Sequence, residues 1–186
     1  EYKNYLSWTF NQTGNCVVDD ITKIRIFYAK TSADTLKQID SIVGSLFNNY
    51  THILNTRSLA GCYAVQAIRQ NGNESVLSNK VCVDNCPLYK LPNTFTPNGN
   101  GQNDLFTPIY PIRFVEKIDM KIYNRWGNLI FETTNPDINW NGNDYKTGKP
   151  LFTGVYYYLC DVYYQTIDGI QKTSKPLSGY IHLFRE

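Results

Sequence analysis

Methionine is nearly missing from this chain of 186 residues, which has one, and charge is sparse, since Asp, Glu, Lys and Arg make up 18%. The 18 basic and 16 acidic residues leave a formal charge of +2. Divided after Lys90, the balance is 9 minus 7 and then 9 minus 9, so neither part offers a basic patch for nucleic acid or an acidic tail. No uninterrupted apolar run approaches the roughly 18 residues of a membrane helix, and the chain is not expected to span a membrane. Its first residues, EYKNYLSW, lack the layout of a signal peptide, so a complete secretory precursor is not expected either. No stretch carries a convincing 3.6-residue period, which removes the helical classes. The 2 histidines, His52 and His182, stand near no Ser or Cys in a nucleophile motif, and the carboxylates are scattered without a selected pair. No catalytic residue is assigned, and no enzyme is expected.

What is abundant is aromatic side chain, asparagine and glycine. Aromatics reach 15%, with 15 Tyr, and 20 Asn and 12 Gly fall between apolar runs. Aromatic and β-branched residues suit a half-buried pleated surface, while Asn and Gly supply turns with positive φ. This is the composition of an all-β extracellular module, and the length suits two small domains.

The first part alternates with period two over Lys23–Tyr28 and Cys62–Ile68. Shorter runs at Tyr5–Phe10, Leu36–Ile42, Tyr50–Leu54 and Val76–Val83 bring the expectation to about six strands, the spacing of a β-sandwich. Leu59-x3-Tyr63-x-Val65-x-Ala67, together with Leu6-Ser7-Trp8, resembles a fibronectin type III domain over residues 1–84. The resemblance implies that Trp8 fills the core, that Tyr63 pins a corner by bonding to backbone, and that Val65 and Ala67 point inward. No strand precedes Tyr2, so the domain is expected to begin upstream.

The 5 cysteines, at 16, 62, 82, 86 and 160, give no zinc spacing, and one or two disulfides with a leftover thiol are expected in an oxidising compartment. If Tyr63 and Val65 face in, Cys62 faces out; if Val81 and Val83 face in, Cys82 also faces out, on a neighbouring antiparallel strand. The expected bridge is Cys62–Cys82 or Cys62–Cys86. Cys160, on a Tyr-rich strand, is expected to be an unpaired core filler. Residues 85–93 hold two prolines and almost no periodicity, and read as a linker to a second domain at residues 94–186.

In that second part Ile118, Met120 and Ile122 share one strand face, Gly127-Asn128 turns the chain, and Leu129-Ile130-Phe131 returns. Along Val155–Tyr164, residues Tyr156, Tyr158, Cys160, Val162 and Tyr164 take one face, and Tyr157, Leu159, Asp161 and Tyr163 the other. Ser178–Phe184 closes the domain. The fold class expected for the whole is all-β, two tandem β-sandwiches of immunoglobulin or fibronectin type.

Four motifs coincide here: Leu91-Pro92-Asn93-x-Phe95-Thr96-Pro97-Asn98-Gly99-Asn100-Gly101-x-Asn103-Asp104; Ile122-Tyr123-Asn124-Arg125-Trp126-Gly127; Trp140-Asn141-Gly142; and Gly154-Val155-Tyr156-Tyr157-Tyr158. Together they resemble the gliding motility-associated C-terminal domain of Bacteroidetes surface proteins, the type B sorting domain of the type IX secretion system. The resemblance implies an export signal read by the type IX translocon and a partner outer-membrane protein, with the protein secreted or left on the cell surface. The residues expected to dock are Arg125, Trp126 and Gly127 at the hairpin tip, where the indole is either a stacked surface pair capping a sandwich end or a recognition knob. Phe95, Asn98, Asn103 and Asp104 of the signature loop join them.

A cofactor is not expected, with calcium as the one candidate. Asn98, Asn100 and Asp104 offer oxygens at calcium-like spacing, and Asp137-x-Asn139-x-Asn141-Gly142 resembles the opening of an EF-hand loop, although Gly148 stands where a bidentate Glu belongs. The competing account is a set of Asx turns. A rival function, an adhesive or carbohydrate-binding module, must rest on the outward face of Val155–Tyr164.

Overall fold

A computed structural model describes residues 2–10, 20–44, 48–55 and 58–185. Cys16 lies outside the described residues. Every regular element among those described is a strand. The chain divides into two compact units, Glu1–Asn85 with Thr166–Gly169, and Cys86–Gln165 with Ile170–Glu186.

The first unit contains β1 (Tyr2–Ser7), β2 (Ile21–Ala29), β3 (Lys37–Val43), β4 (Asn49–Leu54), β5 (Gly61–Arg69) and β6 (Val81–Val83). β1 pairs with β4, and the other four form an antiparallel sheet in the order β3-β2-β5-β6. β2 shows why alternation works: Ile24 and Ile26 are buried, while Arg25 between them points out and pairs with Glu74 at 2.7 Å. Gly61 is required because any side chain there would collide with the Tyr28 ring, whose hydroxyl donates to the Ala60 carbonyl.

Several local expectations need correction. β1 lies earlier than the run Tyr5–Phe10, and Trp8 follows it half-buried instead of filling the core. β6 is three residues long with Val81 and Val83 exposed, so the argument that turned them inward fails. Cys62 and Cys82 nevertheless oppose each other across β5 and β6, with Cα atoms 4.0 Å apart, and form a disulfide. Cys62 is buried, not outward-facing, because the whole start of β5 is covered. Cys86 is an exposed free thiol.

Tyr63 also differs from the expectation. Its hydroxyl meets side chains instead of backbone, accepting from Asn4 Nδ2 at 2.9 Å and lying 2.8 Å from His52 Nδ1. Asn4 supplies the backbone bond, to the Leu59 carbonyl. With Asn4 donating to Tyr63, the tyrosine proton is free to serve a neutral His52. Burial lowers the His52 pKa below the ordinary value of about 6.5. The unfolded chain therefore takes up the proton first, so stability is full above about pH 6.5 and falls as pH drops towards the depressed folded value. Urea midpoints measured at pH 7.5 and pH 5 should show this loss, and His52→Asn should flatten it.

The second unit contains β7 (Thr94–Phe95), β8 (Val115–Tyr123), β9 (Leu129–Thr133), β10 (Gly154–Thr166), β11 (Gly169–Lys172) and β12 (Leu177–Leu183). The sheet order is β7-β12-β10-β8-β9, with β11 on β10; β7 runs parallel to β12 and the other pairs described are antiparallel. Ile118, Met120 and Ile122 of β8, Tyr156, Cys160 and Val162 of β10, and Ile181 and Leu183 of β12 are buried on one face. Cys160 is a free buried thiol whose pKa burial pushes up to about 12, so it behaves as an apolar filler. The layer over this face is made of connecting segments, tied by bridges at Leu88–Arg113, Phe106–Trp140 and Asn143–Pro150. Phe106, Ile138 and Trp140 reach from that layer into the core, where they meet Phe95 of β7.

Candidate functional site

Strand directions collect the sequence motifs at one end of the second unit. β8 ends there at Tyr123, β10 begins there at Gly154, and β7 and β12, being parallel, both end there. The loops leaving these ends are the hairpin tip at Arg125–Gly127, the signature loop after Phe95, and the chain beyond Leu183.

The hairpin tip is held by its own backbone and by Asn124. The Asn124 Oδ1 accepts from the N–H groups of Trp126 and Asn128, both at 3.0 Å, and Gly127 takes φ +81°. This fixed turn presents Trp126 outward, 76% exposed, with the Arg125 guanidinium 5.3 Å from the ring centre. The indole is thus an exposed member of a stacked surface pair.

The signature loop is an Asx ladder. Asp104 accepts from the N–H of Gly99 through one oxygen and of Gly101 through the other, at 2.6 and 2.7 Å. The bond from Gly99 leads in holding its pKa below the usual carboxylate range. Asn98 Oδ1 accepts from Asn100, and Asn100 Oδ1 from Gln102. Asn98 and Asn103 are exposed, and Asn103 sits at φ +54°. Phe95 belongs with the core instead: it is 1% exposed, against Phe106 and Trp140, and offers a partner no surface.

In the signature loop the side-chain oxygens of Asn98, Asn100 and Asp104 considered for calcium each accept a backbone N–H. In the second loop Asp137 accepts from the Tyr110 hydroxyl and Asn141 from the Asn143 N–H, while Asn139 takes φ +58° and is exposed. Among the described residues, no group of three or more His, Cys, Asp or Glu gathers as a metal site.

Arg185 is the residue that sequence reasoning missed. Its Nε donates to the Leu151 carbonyl at 3.1 Å and its Nη1 to the Pro97 carbonyl at 3.4 Å. Its Nη2 reaches the carbonyls of Asn141 and Gly142 and the Asn143 Oδ1, each at 3.0 Å. One planar guanidinium therefore ties the signature loop to the Trp140-Asn141-Gly142 loop. Gly142 must be bare for this: at φ +76°, an added Cβ would stand 2.7 Å from Leu183 Cδ1 and 2.9 Å from Arg185 Nη2. Tyr156, donating to the Phe152 carbonyl, has its pKa raised, because burial outweighs the opposing charges of Arg125 and Arg185. Both guanidinium groups thus act on one hydroxyl.

Residues 89–183, just over half of the chain, match the CHU_C type IX secretion signal domain family. The chain belongs to this family. The matched span of the signal domain contains the hairpin tip, the signature loop and the Trp140-Asn141-Gly142 loop, whereas Arg185 lies just beyond it. Its role for the family supports a sorting signal and an exported, secreted or surface protein.

No curated protein matches the chain significantly. Among solved structures, it is similar to the fibronectin(III)-like modules of CbhA from Clostridium thermocellum, at 16% identity and TM-score 0.31, covering 99% of this chain and 86% of that one. It is also similar to the FN1-FN3 domains of chicken CNTN1, at 7% identity and TM-score 0.35, covering 97% of this chain and 60% of that one. Among the described residues, no helix is long and apolar enough to cross a membrane.

Proposed function

We propose that the second unit is a non-enzymatic export signal whose motif-bearing end docks onto the type IX translocon and a partner outer-membrane protein, with the first unit as a spacer. The observation that carries this reading is the Trp126 knob: a 76% exposed indole beside a cation, on a turn locked by Asn124. Such an indole loses little conformational freedom on docking and can bury a large apolar area. Asn98, Asn103 and Asp104 are assigned to the rim of the contact, and Arg125 and Gly127 to its centre.

Trp126→Ala should reduce export of a periplasmically targeted reporter, fused ahead of the full chain, by about tenfold or more, the effect of a docking hot spot. The melting temperature should hold, because the side chain packs against nothing in the core. Unchanged export would remove Trp126 from the contact.

A further inference from the structure

The sheet face turned away from the core of the second unit carries a row of tyrosines to which the docking proposal assigns no part. Tyr157 of β10 stands directly opposite Tyr180 of β12 on one side and Tyr123 of β8 on the other. Three tyrosines thus form a row across three adjacent strands, about 10 Å from first to last at the usual strand spacing. Tyr157 is 51% exposed and Tyr180 47%, and Leu159 beside them is 49% exposed. With Asn124 and Ser178 they line a shallow open groove of about 610 Å³.

Among the described residues, Arg125 is the one charged side chain in the groove lining, and the charges around it on this face are engaged with one another or with rings. Lys121 pairs with Asp119 at 3.6 Å, Lys172 pairs with Asp161 at 3.2 Å, and Lys117 lies over the Tyr163 ring. Arg125, at the margin, faces the Trp126 ring. The cations nearest the row are therefore engaged, which disfavours a polyanion. A purely apolar partner fits no better, because the row is built of tyrosines, with an amide and a serine hydroxyl beside them. Rings that offer apolar faces and hydroxyl rims in one surface complement a sugar, whose C–H faces are apolar and whose edges are hydroxyls.

We propose that the Tyr123–Tyr157–Tyr180 row is a binding platform for an uncharged oligosaccharide, with the span of the row matching about two sugar rings. The groove adjoins the Trp126 knob, since Arg125 and Gly127 line its edge while Trp126 does not, but the tyrosine row itself holds none of the residues assigned to docking.

The test titrates the full chain with cellohexaose, maltohexaose, mannohexaose and N-acetylchitohexaose, with heparin and a Leu-rich amphipathic decapeptide as the charged and apolar alternatives. The expected result is saturable binding of at least one neutral hexasaccharide at or below about 1 mM. Tyr157→Ala and Tyr180→Ala should each weaken it by about tenfold or more, while Tyr163→Ala, on the same face but outside the row, should leave it intact. Tyr157→Leu, which keeps apolar bulk without the ring, serves if the alanine variant does not fold, and should also lose binding. The proposal is overturned if no neutral hexasaccharide binds, if binding survives the loss of Tyr157 and Tyr180, or if heparin or the decapeptide alone is bound. Reporter export addresses the docking end independently, so failure of either reading is recognised without the other.

Discussion

Trp140→Ala is expected to destabilise the second unit by about 3–5 kcal/mol, the range for emptying a buried aromatic site. Trp140 is 1% exposed and is the largest side chain wholly inside the core. Its ring lies 5.1 Å from Phe95 and 5.8 Å from both Phe131 and Tyr156, with Phe106 at 6.5 Å. Removing it opens a cavity that these rings cannot all close, and the loop layer loses its bridge to the sheet. The Nε1 proton also satisfies the Asn143 carbonyl at 2.9 Å, so even Trp140→Phe should cost about 1–2 kcal/mol through the lost bond. A domain of this size moves by roughly 4–8 °C per kcal/mol, which puts the alanine variant about 12 °C or more below the parent. Urea unfolding of the full chain measures it. A loss below about 1 kcal/mol would mean that the aromatic cluster is not the core of this unit.

Arg185→Ala comes second, at roughly 2–4 kcal/mol, because several charge-assisted hydrogen bonds are lost together while water replaces part of them. The effect should be local. Loops 97–103 and 141–151 should become open to proteolysis before the sheet does, since Arg185 is what joins them. Arg185→Lys should rescue little, because an ammonium can supply charge but not a planar fork to three segments. Export should fall with Trp126 untouched, because the end of the unit that gathers the motifs loses its shape. Limited proteolysis with mass mapping, beside the reporter assay, checks both parts. Retained loop protection would show that the contacts of Arg185 are incidental.

The sheet of the second unit was legible because its strands obey a period of two with a buried face. Ile118, Met120 and Ile122 follow it, as do Tyr156, Cys160 and Val162, and all are buried. The corrections fall where a residue's environment depends on distant chain. Val81 and Val83 look like inward strand positions, but β6 is a short edge strand with its side chains in solvent. Phe95 looks like part of a recognition loop, yet Trp140 and Phe106, far along the chain, draw it inside. Arg185 shows no local pattern at all, since its partners lie at 97, 141–143 and 151. The glycine of Trp140-Asn141-Gly142 was its one trace: a motif glycine with positive φ, held bare by a guanidinium from the far end of the sequence. The Tyr row was half visible, in the outward alternation of Tyr157 and Leu159, but its width depends on the register that sets Tyr180 and Tyr123 opposite Tyr157.

The most direct measurement of the sorting account places the full chain behind a periplasmically targeted reporter in two strains of a type IX-competent bacterium, one intact and one lacking the translocon. The account predicts that the reporter reaches the cell surface or medium in the intact strain and stays in the periplasm in the other. A reporter that remains periplasmic in both strains, with the fused chain folded, would contradict it.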